Sequence, residues 1–384
     1  MTHAVPVSTL VVKIASRCNL NCSYCYEYNM GDSSWKMRPG ILDVDMAQLI
    51  GRRVREHCDQ WGHRRFSISL HGGEPLLAGI SHIEQIMGAI REKAGPAIAL
   101  DFGMQTNGLL ITDAIAAELG RIACSAGVSL DGVKSVNDRA RVNHRGRSSF
   151  EGAVRGIECL RRAGGRVFGG LLAVIDIEAD PLETFDFLAG FTPPSLDFLL
   201  PHGNWSRPPR RKEDPDRSTP YADWLIPIYD AWMNGRHRKV PIRTFEEIIE
   251  HLAGGTGGLE TLGLQAVSLL TIGTDGAIEG VDTLKSAFPG AHELGLNVLT
   301  HSFDDALKHH MIEARQLGID MLPGECAACW AVDTCGGGYF PHRYAKTTGF
   351  RNRSVYCTDL LKLIGHIRKS ILAITESSRP RTIP

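Results

Sequence analysis

The chain has 384 residues, a formal net charge of −1 at pH 7, 43% hydrophobic and 22% charged residues. Such a composition supports a large core and excludes a strongly basic nucleic-acid-binding or membrane-surface protein. No stretch reaches the ~18 apolar residues of a membrane span, and the N-terminal MTHAVPVSTLVVKIASRCN lacks a secretory signal's charged and apolar regions, so a cytoplasmic location is expected.

From residue 8 to about 240, β-rich apolar runs alternate with amphipathic stretches. Strands are expected at 9–15 (TLVVKIA), 65–72 (RFSISLHG), 97–107, 126–132, 167–176 and 196–203. Helical segments such as DVDMAQLIGRRVREHCDQW and SFEGAVRGIECLRRAG lie between them. Strands joined by single helices read as βαβ units with a parallel sheet, and six of them give an α/β partial (β/α)6 TIM-like barrel, open on one side. Residues 204–219, NWSRPPRRKEDPDRST, read as a long loop or lid. After 240 come a helix near 243–253 and a hairpin over 266–282 turning at Asp275-Gly276. Beyond 320 the chain is rich in cysteine and glycine with little regular pattern, and the last nine residues read as a frayed tail. The expected division is a core over 1–240, a bridging region over 241–320 and a cysteine-rich region over 321–384.

The ten cysteines are not expected to form disulfides in a reducing compartment, so their clusters point to metal or iron-sulfur chemistry. Cys58, Cys124 and Cys159 stand alone and read as buried small hydrophobes. Cys18, Cys22 and Cys25 lie on the loop after the first strand. Three thiolates cannot close a tetrahedral zinc site; they can hold three irons of a [4Fe-4S] cluster and leave the fourth open, although spacing alone leaves room for a distant fourth ligand. Cys326, Cys329, Cys335 and Cys357 can make either a zinc knot or a fully ligated cluster.

Cys-x3-Cys-x2-Cys after the first strand, with Tyr24 before the third cysteine, resembles the radical SAM superfamily. HGGEP (71–75), QTNG (105–108), SLDG (129–132) and NDRARVNHRGRSSF (137–150) follow in the family's order. The resemblance implies a catalytic [4Fe-4S] cluster whose open iron is chelated by S-adenosylmethionine, reductive cleavage to a 5'-deoxyadenosyl radical, and a flavodoxin- or ferredoxin-like electron donor. It assigns Tyr24, Gly72, Gly73, Glu74, Asn107, Ser129 and Arg141 to the cofactor. The glycines would allow close backbone approach to the ligand; Glu74 would meet the methionine ammonium, Ser129 the ribose and Arg141 the methionine carboxylate.

The C-terminal cysteines are similar to the SPASM extension, which in many members carries two auxiliary clusters. The four present match the outer one, while Val281 and Tyr339 stand at positions where inner-cluster cysteines fall. One auxiliary [4Fe-4S] cluster is therefore expected, as an electron acceptor or a brace. Asp282 occupies the place where sulfatase-maturing relatives put a base; its other reading is a strand-ending residue. CGGGYFPHRYAKTTGFRNRSVYCTDL, TDGAIEGVDTLK and LLPHGNW are similar to FxsB-type, cyclophane-forming maturases of ribosomally made precursor peptides, departing from them at Gly273 and Arg353. His202, Asn204, Trp205, His342, Arg343 and Tyr344 are candidate peptide contacts or, equally, packing residues.

With the first strand beginning by residue 9, no added N-terminal peptide-binding domain is expected, so a leader would be recognised by the barrel, the 204–219 loop or a separate protein. The competing readings are thioether formation, epimerisation or formylglycine formation, and a non-catalytic iron-sulfur electron carrier. A zinc deaminase is excluded because His71 and Glu74 are one residue too far apart for His-x-Glu.

Overall fold

The structure, a computed structural model, describes residues 4–377. The six expected strands form as β1 (Thr9–Ala15), β2 (Arg65–Gly72), β3 (Ala99–Thr106), β4 (Cys124–Ser129), β5 (Phe168–Val174) and β6 (Leu196–Leu199), all parallel to their neighbours. Among the described residues they belong to one nine-stranded sheet ordered β6-β5-β4-β3-β2-β1-β7-β8-β9, which does not close into a barrel. The hairpin forms as β7 (Leu269–Ile272) and β8 (Ala277–Glu279), with β9 (Glu293–Asn297) antiparallel beyond it. Strand β7 pairs parallel with β1, so the sheet continues across residue 240 and brings the hairpin beside the first strand.

Period-two alternation gives the sheet two unlike faces. Phe66, Ile68, Leu70, Phe102, Met104, Ala126 and Val128 point into the main core with Ile50, Val54, Ile83, Met87, Leu119 and Leu160 of the flanking helices. The opposite face carries small or polar residues that retain exposure: Ser69 and His71 on β2, Gly103 and Gln105 on β3, Ser125, Gly127 and Ser129 on β4. Crowding is avoided there by glycine, since a Cβ at Gly127 would meet Gln105 Oε1 at 2.6 Å. This half-exposed polar face is where a large substrate can lie.

Both expected long helices form. Val44–Trp61 starts on Asp43, whose carboxylate accepts from Asp45 N–H, and stops at left-handed Gly62. Phe150–Ala163 has no side-chain cap from Ser149; that hydroxyl instead donates to the Arg141 carbonyl at 2.5 Å, tying the 137–150 arm to the helix. The region beyond 320 is more regular than expected, because a 21-residue helix runs over Cys357–Ser377. Its buried Leu360, Leu363, Ile364 and Ile367 recur at helical spacing. Nearly all of the expected tail lies outside the described residues.

The 204–219 segment is a pinned strap rather than a free lid. Lys212 is fully buried; it donates to Pro215 O, Ser218 O and Thr358 Oγ1 and pairs with Asp359 at 2.7 Å. Asp359 also accepts the N–H groups of Tyr221 and Ala222 at 2.8 and 3.0 Å, supplying the cap that Thr219 does not give the helix Pro220–Met233. The C-terminal helix is thereby joined to the core. No described helix is long and apolar enough to cross a membrane.

Candidate active site

Strand β1 delivers the cysteine loop at the end of the sheet where β2, β3 and β4 also finish. Cys18, Cys22 and Cys25 are half-buried. Burial pushes the Cys18 thiol up to about 12 and Cys25 to about 11, and raises Cys22; an electropositive metal centre would favour their thiolates. Gly73 N–H donates to Ala15 O and Glu74 N–H to Arg17 O, stitching the GGE segment to the loop's first residues. This changes the reading of the two glycines: a Cβ at 72 would collide with the Ala15 carbonyl, and one at 73 with the Arg17 carbonyl and Tyr28 hydroxyl. The close approach that excludes side chains there is the chain's own.

Glu74 is fully buried. Its carboxylate accepts from Leu76 N–H at 3.0 Å, Thr106 Oγ1 at 2.7 Å and Asn107 N–H at 2.8 Å. A carboxylate has about four acceptor directions. Three are used, and the remaining one, on Oε2, suits an ammonium. Burial raises the Glu74 pKa, opposed by those hydrogen bonds and by Arg141. Asn107 donates to Asn19 Oδ1 at 2.7 Å and lies 3.8 Å from Cys18 Sγ. Ser129 Oγ accepts from Gln105 Nε2 at 2.8 Å, which leaves its own O–H to donate.

The 137–150 arm lies along the cysteine loop: Asn21 N–H donates to Val142 O and Ser23 N–H to Ala140 O. It buries Arg141, whose Nη1 donates to the Tyr24 hydroxyl at 2.8 Å; Tyr24 in turn donates to Asp131 at 2.6 Å. The bond to Tyr24 leaves most of the guanidinium donors for a carboxylate. Asp131 was not singled out in the sequence, although it lies within SLDG; its other oxygen accepts Val174 N–H at 3.0 Å, so it orders the end of β5 as well. An acceptor direction on Glu74 for an ammonium, donors on Arg141 for a carboxylate and three thiols on one loop fit the polar groups of S-adenosylmethionine on a [4Fe-4S] cluster.

Asp282, just after β8, is buried against β1. It pairs closely with Lys13, accepts from Tyr26 at 2.7 Å and lies 4.0 Å from His71 Nδ1. Burial alone would raise its pKa, but Lys13 first, then His71 and Tyr26, drive it well below the usual carboxylate range. Lys13 also donates to Glu27 at 3.2 Å, and Glu27 meets Lys285 at 2.5 Å. The hairpin is thus bonded to both β1 and the cysteine loop. None of Lys13, Tyr26, Glu27, His71 or Lys285 was named from sequence as a site residue.

The C-terminal thiols of Cys326, Cys329, Cys335 and Cys357 line one cavity with Val332, Gly337, Arg353 and Ser354. A shared cavity lined by four thiols suits a four-cysteine cluster. Burial raises Cys335 to about 12 and Cys326 to about 11. The two places left without cysteine come together: Tyr339 OH bonds the Thr283 hydroxyl, and Val281 packs with Phe340.

The remaining peptide-contact candidates divide. Asn204 is buried, donates to Ser286 O and accepts from Ser206 and Arg207 N–H; Trp205 donates to Arg353 O; Arg343 donates to Gly336 O and Gly338 O; Tyr344 packs on Phe288 and Phe350. These four serve internal packing in this structure. His202 and His342 lie in an aromatic group with Tyr26, Tyr339 and Tyr356, and His202 Nδ1 and His342 Nε2 have no partner among the described residues. Burial lowers both imidazoles, His202 to about 4.

The Radical SAM superfamily pattern matches residues 12–188. The chain is 23% identical to the serine-type anaerobic sulfatase-maturating enzyme of Bacteroides thetaiotaomicron, over 95% of this chain and 90% of that one. It is 29% identical to a cysteine-type anaerobic sulfatase-maturating enzyme of Clostridium perfringens, over 92% and 94%. In fold it is similar to native anSMEcpe with bound AdoMet, with a TM-score of 0.81 at 20% identity over 96% and 99% of the two chains. It is also similar to Streptococcus suis SuiB bound to precursor peptide SuiA, with a TM-score of 0.60 at 15% identity over 92% and 76%. The family match spans the strands that carry the cysteine loop, Glu74 and Arg141, so the part of the chain that holds this site is similar to the radical SAM superfamily.

Proposed function

We propose that the chain is a peptide maturase that removes two hydrogens, equivalent to two electrons and two protons, from a ribosomally made precursor, joining an aromatic ring carbon to the β-carbon of the residue two positions later. The observation that carries this reading over other SPASM chemistries is the filled inner-cluster position, where Tyr339 and Val281 replace ligands beside Asp282. The segments that resemble the cyclophane-forming maturases include both of these positions.

A [4Fe-4S] cluster with S-adenosylmethionine supplies, when bound, a hydrogen-abstracting adenosyl radical. Cys18, Cys22 and Cys25 would hold the cluster. Glu74 and Arg141 would orient the aminocarboxylate, and Ser129, steadied by Gln105, would meet the ribose. An extended peptide would lie across the half-exposed polar face of β2 to β4. Asp282, buried beside Lys13 at that end of the sheet, would accept the proton lost when the ring regains aromaticity. Cys326, Cys329, Cys335 and Cys357 would hold the auxiliary cluster, and their full ligation suits electron acceptance or bracing rather than substrate binding.

Formylglycine formation is the second reading, favoured by similarity to sulfatase-maturating enzymes along nearly the whole chain. Co-expression with the short reading frame beside the gene, followed by tandem mass spectrometry, separates the two. A loss of two hydrogens with no backbone cleavage across three residues supports the crosslink. A hydrazine-reactive aldehyde at a serine or cysteine overturns it in favour of formylglycine.

A further inference from the structure

A buried arginine and a buried aspartate lie on either side of one hydroxyl. Arg141, on the 137–150 arm, and Asp131, just past β4, are 7% and 4% exposed. Taking either charge out of water is costly without an opposite charge or a full set of hydrogen bonds. Yet among the described residues the two make no direct ion pair. The Tyr24 hydroxyl stands between them, 2.8 Å from Arg141 Nη1 and 2.6 Å from Asp131 Oδ2. A guanidinium has donors and no acceptor, so the Tyr24 oxygen accepts from Nη1 and its single hydrogen goes to the carboxylate. Asp131 Oδ1 accepts Val174 N–H at 3.0 Å, which fixes the carboxylate against the end of β5. The bond to Tyr24 is the one hydrogen bond of the guanidinium among the described residues, so its charge is held in place without being spent on a carboxylate of the protein.

We propose that Tyr24 is a positioning residue whose hydroxyl spaces Arg141 from Asp131, so that the guanidinium stays oriented and un-neutralised for the carboxylate of S-adenosylmethionine. This rests on the cofactor reading of the site and does not depend on which peptide reaction follows. The role differs from the direct cofactor contact that the resemblance implies for this position, because the hydroxyl acts through Arg141. Without it, attraction in a water-poor site would draw the guanidinium and Asp131 into a direct pair. The carboxylate of the ligand would then compete with one built into the chain. Asp131 accordingly has two effects of opposite sign: it steadies Tyr24, and it is the anion from which Arg141 is kept.

The test titrates reconstituted holoenzyme anaerobically by calorimetry, without a reductant so that the ligand is not cleaved. The two ligands are S-adenosylmethionine and its decarboxylated analogue, which keeps the sulfonium, ammonium and adenosine and lacks only the carboxylate. Tyr24→Phe should raise the Kd of S-adenosylmethionine about tenfold, the loss of one hydrogen bond to a charged group, and that of the analogue less than about twofold, with iron content unchanged. Adding Asp131→Asn to Tyr24→Phe should recover most of the lost affinity, since the competing anion is gone. A wild-type Kd in Tyr24→Phe overturns the inference. So does equal weakening of both ligands, which a deformed loop gives. A double variant weaker than Tyr24→Phe also overturns it, by making Asp131 a support of Arg141 and not its competitor. Iron loss in Tyr24→Phe would instead assign the hydroxyl to the scaffold of the cysteine loop. If wild-type enzyme binds neither ligand, the cofactor reading itself fails, and this inference with it.

Discussion

At the scale of single residues, the site divides by how far apart its partners lie in the chain. Asp282 and Lys13 are 269 positions apart, and Glu27 and Lys285 are 258 apart. Each alone reads as an ordinary strand or helix-end residue, which is why the sequence names Asp282 only through a resemblance and the others not at all. The thiols, Glu74 and Arg141 could be named because short motifs at consecutive strand ends carry them. The buried pair has a stability consequence. Replacing Asp282 by Asn leaves the Lys13 ammonium buried with one carboxylate fewer, a change that costs about 3 kcal/mol or more. The Asp282 pKa is depressed when folded, so its contribution is complete above the unfolded value near 3.9 and fades only as pH falls through the folded value. Lys13 is raised by Asp282 and Glu27 despite burial, so its contribution is complete below ~10.4 and fades as pH rises through the folded value. Urea unfolding of wild type and Asp282→Asn should therefore show the same gap at pH 5, 7 and 9. A gap that narrows within that range would mean that the pair is not ionised as described.

At the scale of elements, the cysteine loop is shaped by what it leans on. The GGE segment continues β2 for two residues and bonds the backbone of residues 15 and 17, with no room for a side chain at 73. What an added Cβ would meet at these glycines is the chain's own backbone, and close approach to a ligand and close approach to another strand leave the same mark on a sequence. Overpacking at such a site costs about 1–3 kcal/mol and displaces backbone. Gly73→Ala should therefore lower the iron bound after reconstitution toward the auxiliary cluster's share, whereas Gly40→Ala, with nothing within 4 Å of its added Cβ, should not. Iron assay and absorbance near the iron-sulfur bands decide it, and full loading of Gly73→Ala would refute a shaping role for this contact. The strap over 204–219 and the C-terminal helix were harder to read for another reason. Proline and charge at 204–219 describe a surface loop correctly, but its anchor, Lys212 to Asp359, is a contact across 147 positions. The helix has a regular apolar spacing that is overshadowed by the cysteine and glycine run before it.

At the scale of the whole molecule, one sheet supports two thiol centres of opposite character. The six-strand part of the fold was legible because each strand is a continuous apolar or alternating run followed by its own helix. The attachment of β7 to β1 was not, since pairing between residues 9 and 269 leaves no local sign. That attachment sets the hairpin, and Asp282 with it, against the cysteine loop. The C-terminal thiols instead gather the start of the Cys357–Ser377 helix and the 326–335 turns around one cavity, and Tyr356, just before that helix, packs on Tyr221 of Pro220–Met233. A centre that crosslinks separate segments contributes to folding stability, whereas one on a single loop contributes chiefly locally. Reconstituted wild type should hold about eight irons per chain, four per cluster. Replacing Cys18, Cys22 and Cys25 by Ala should leave about four irons, abolish S-adenosylmethionine cleavage and change Tm little. Replacing Cys335 and Cys357 should also leave about four irons. It should, however, lower Tm by roughly 5 °C or more, since each kcal/mol shifts Tm by about 2–4 °C in domains of 150–250 residues. About twelve irons in the wild type would restore an inner cluster and remove Tyr339 and Val281 as its replacements. Equal Tm changes in the two sets of variants would show that the auxiliary centre does not brace the C-terminal helix, leaving electron acceptance as its function.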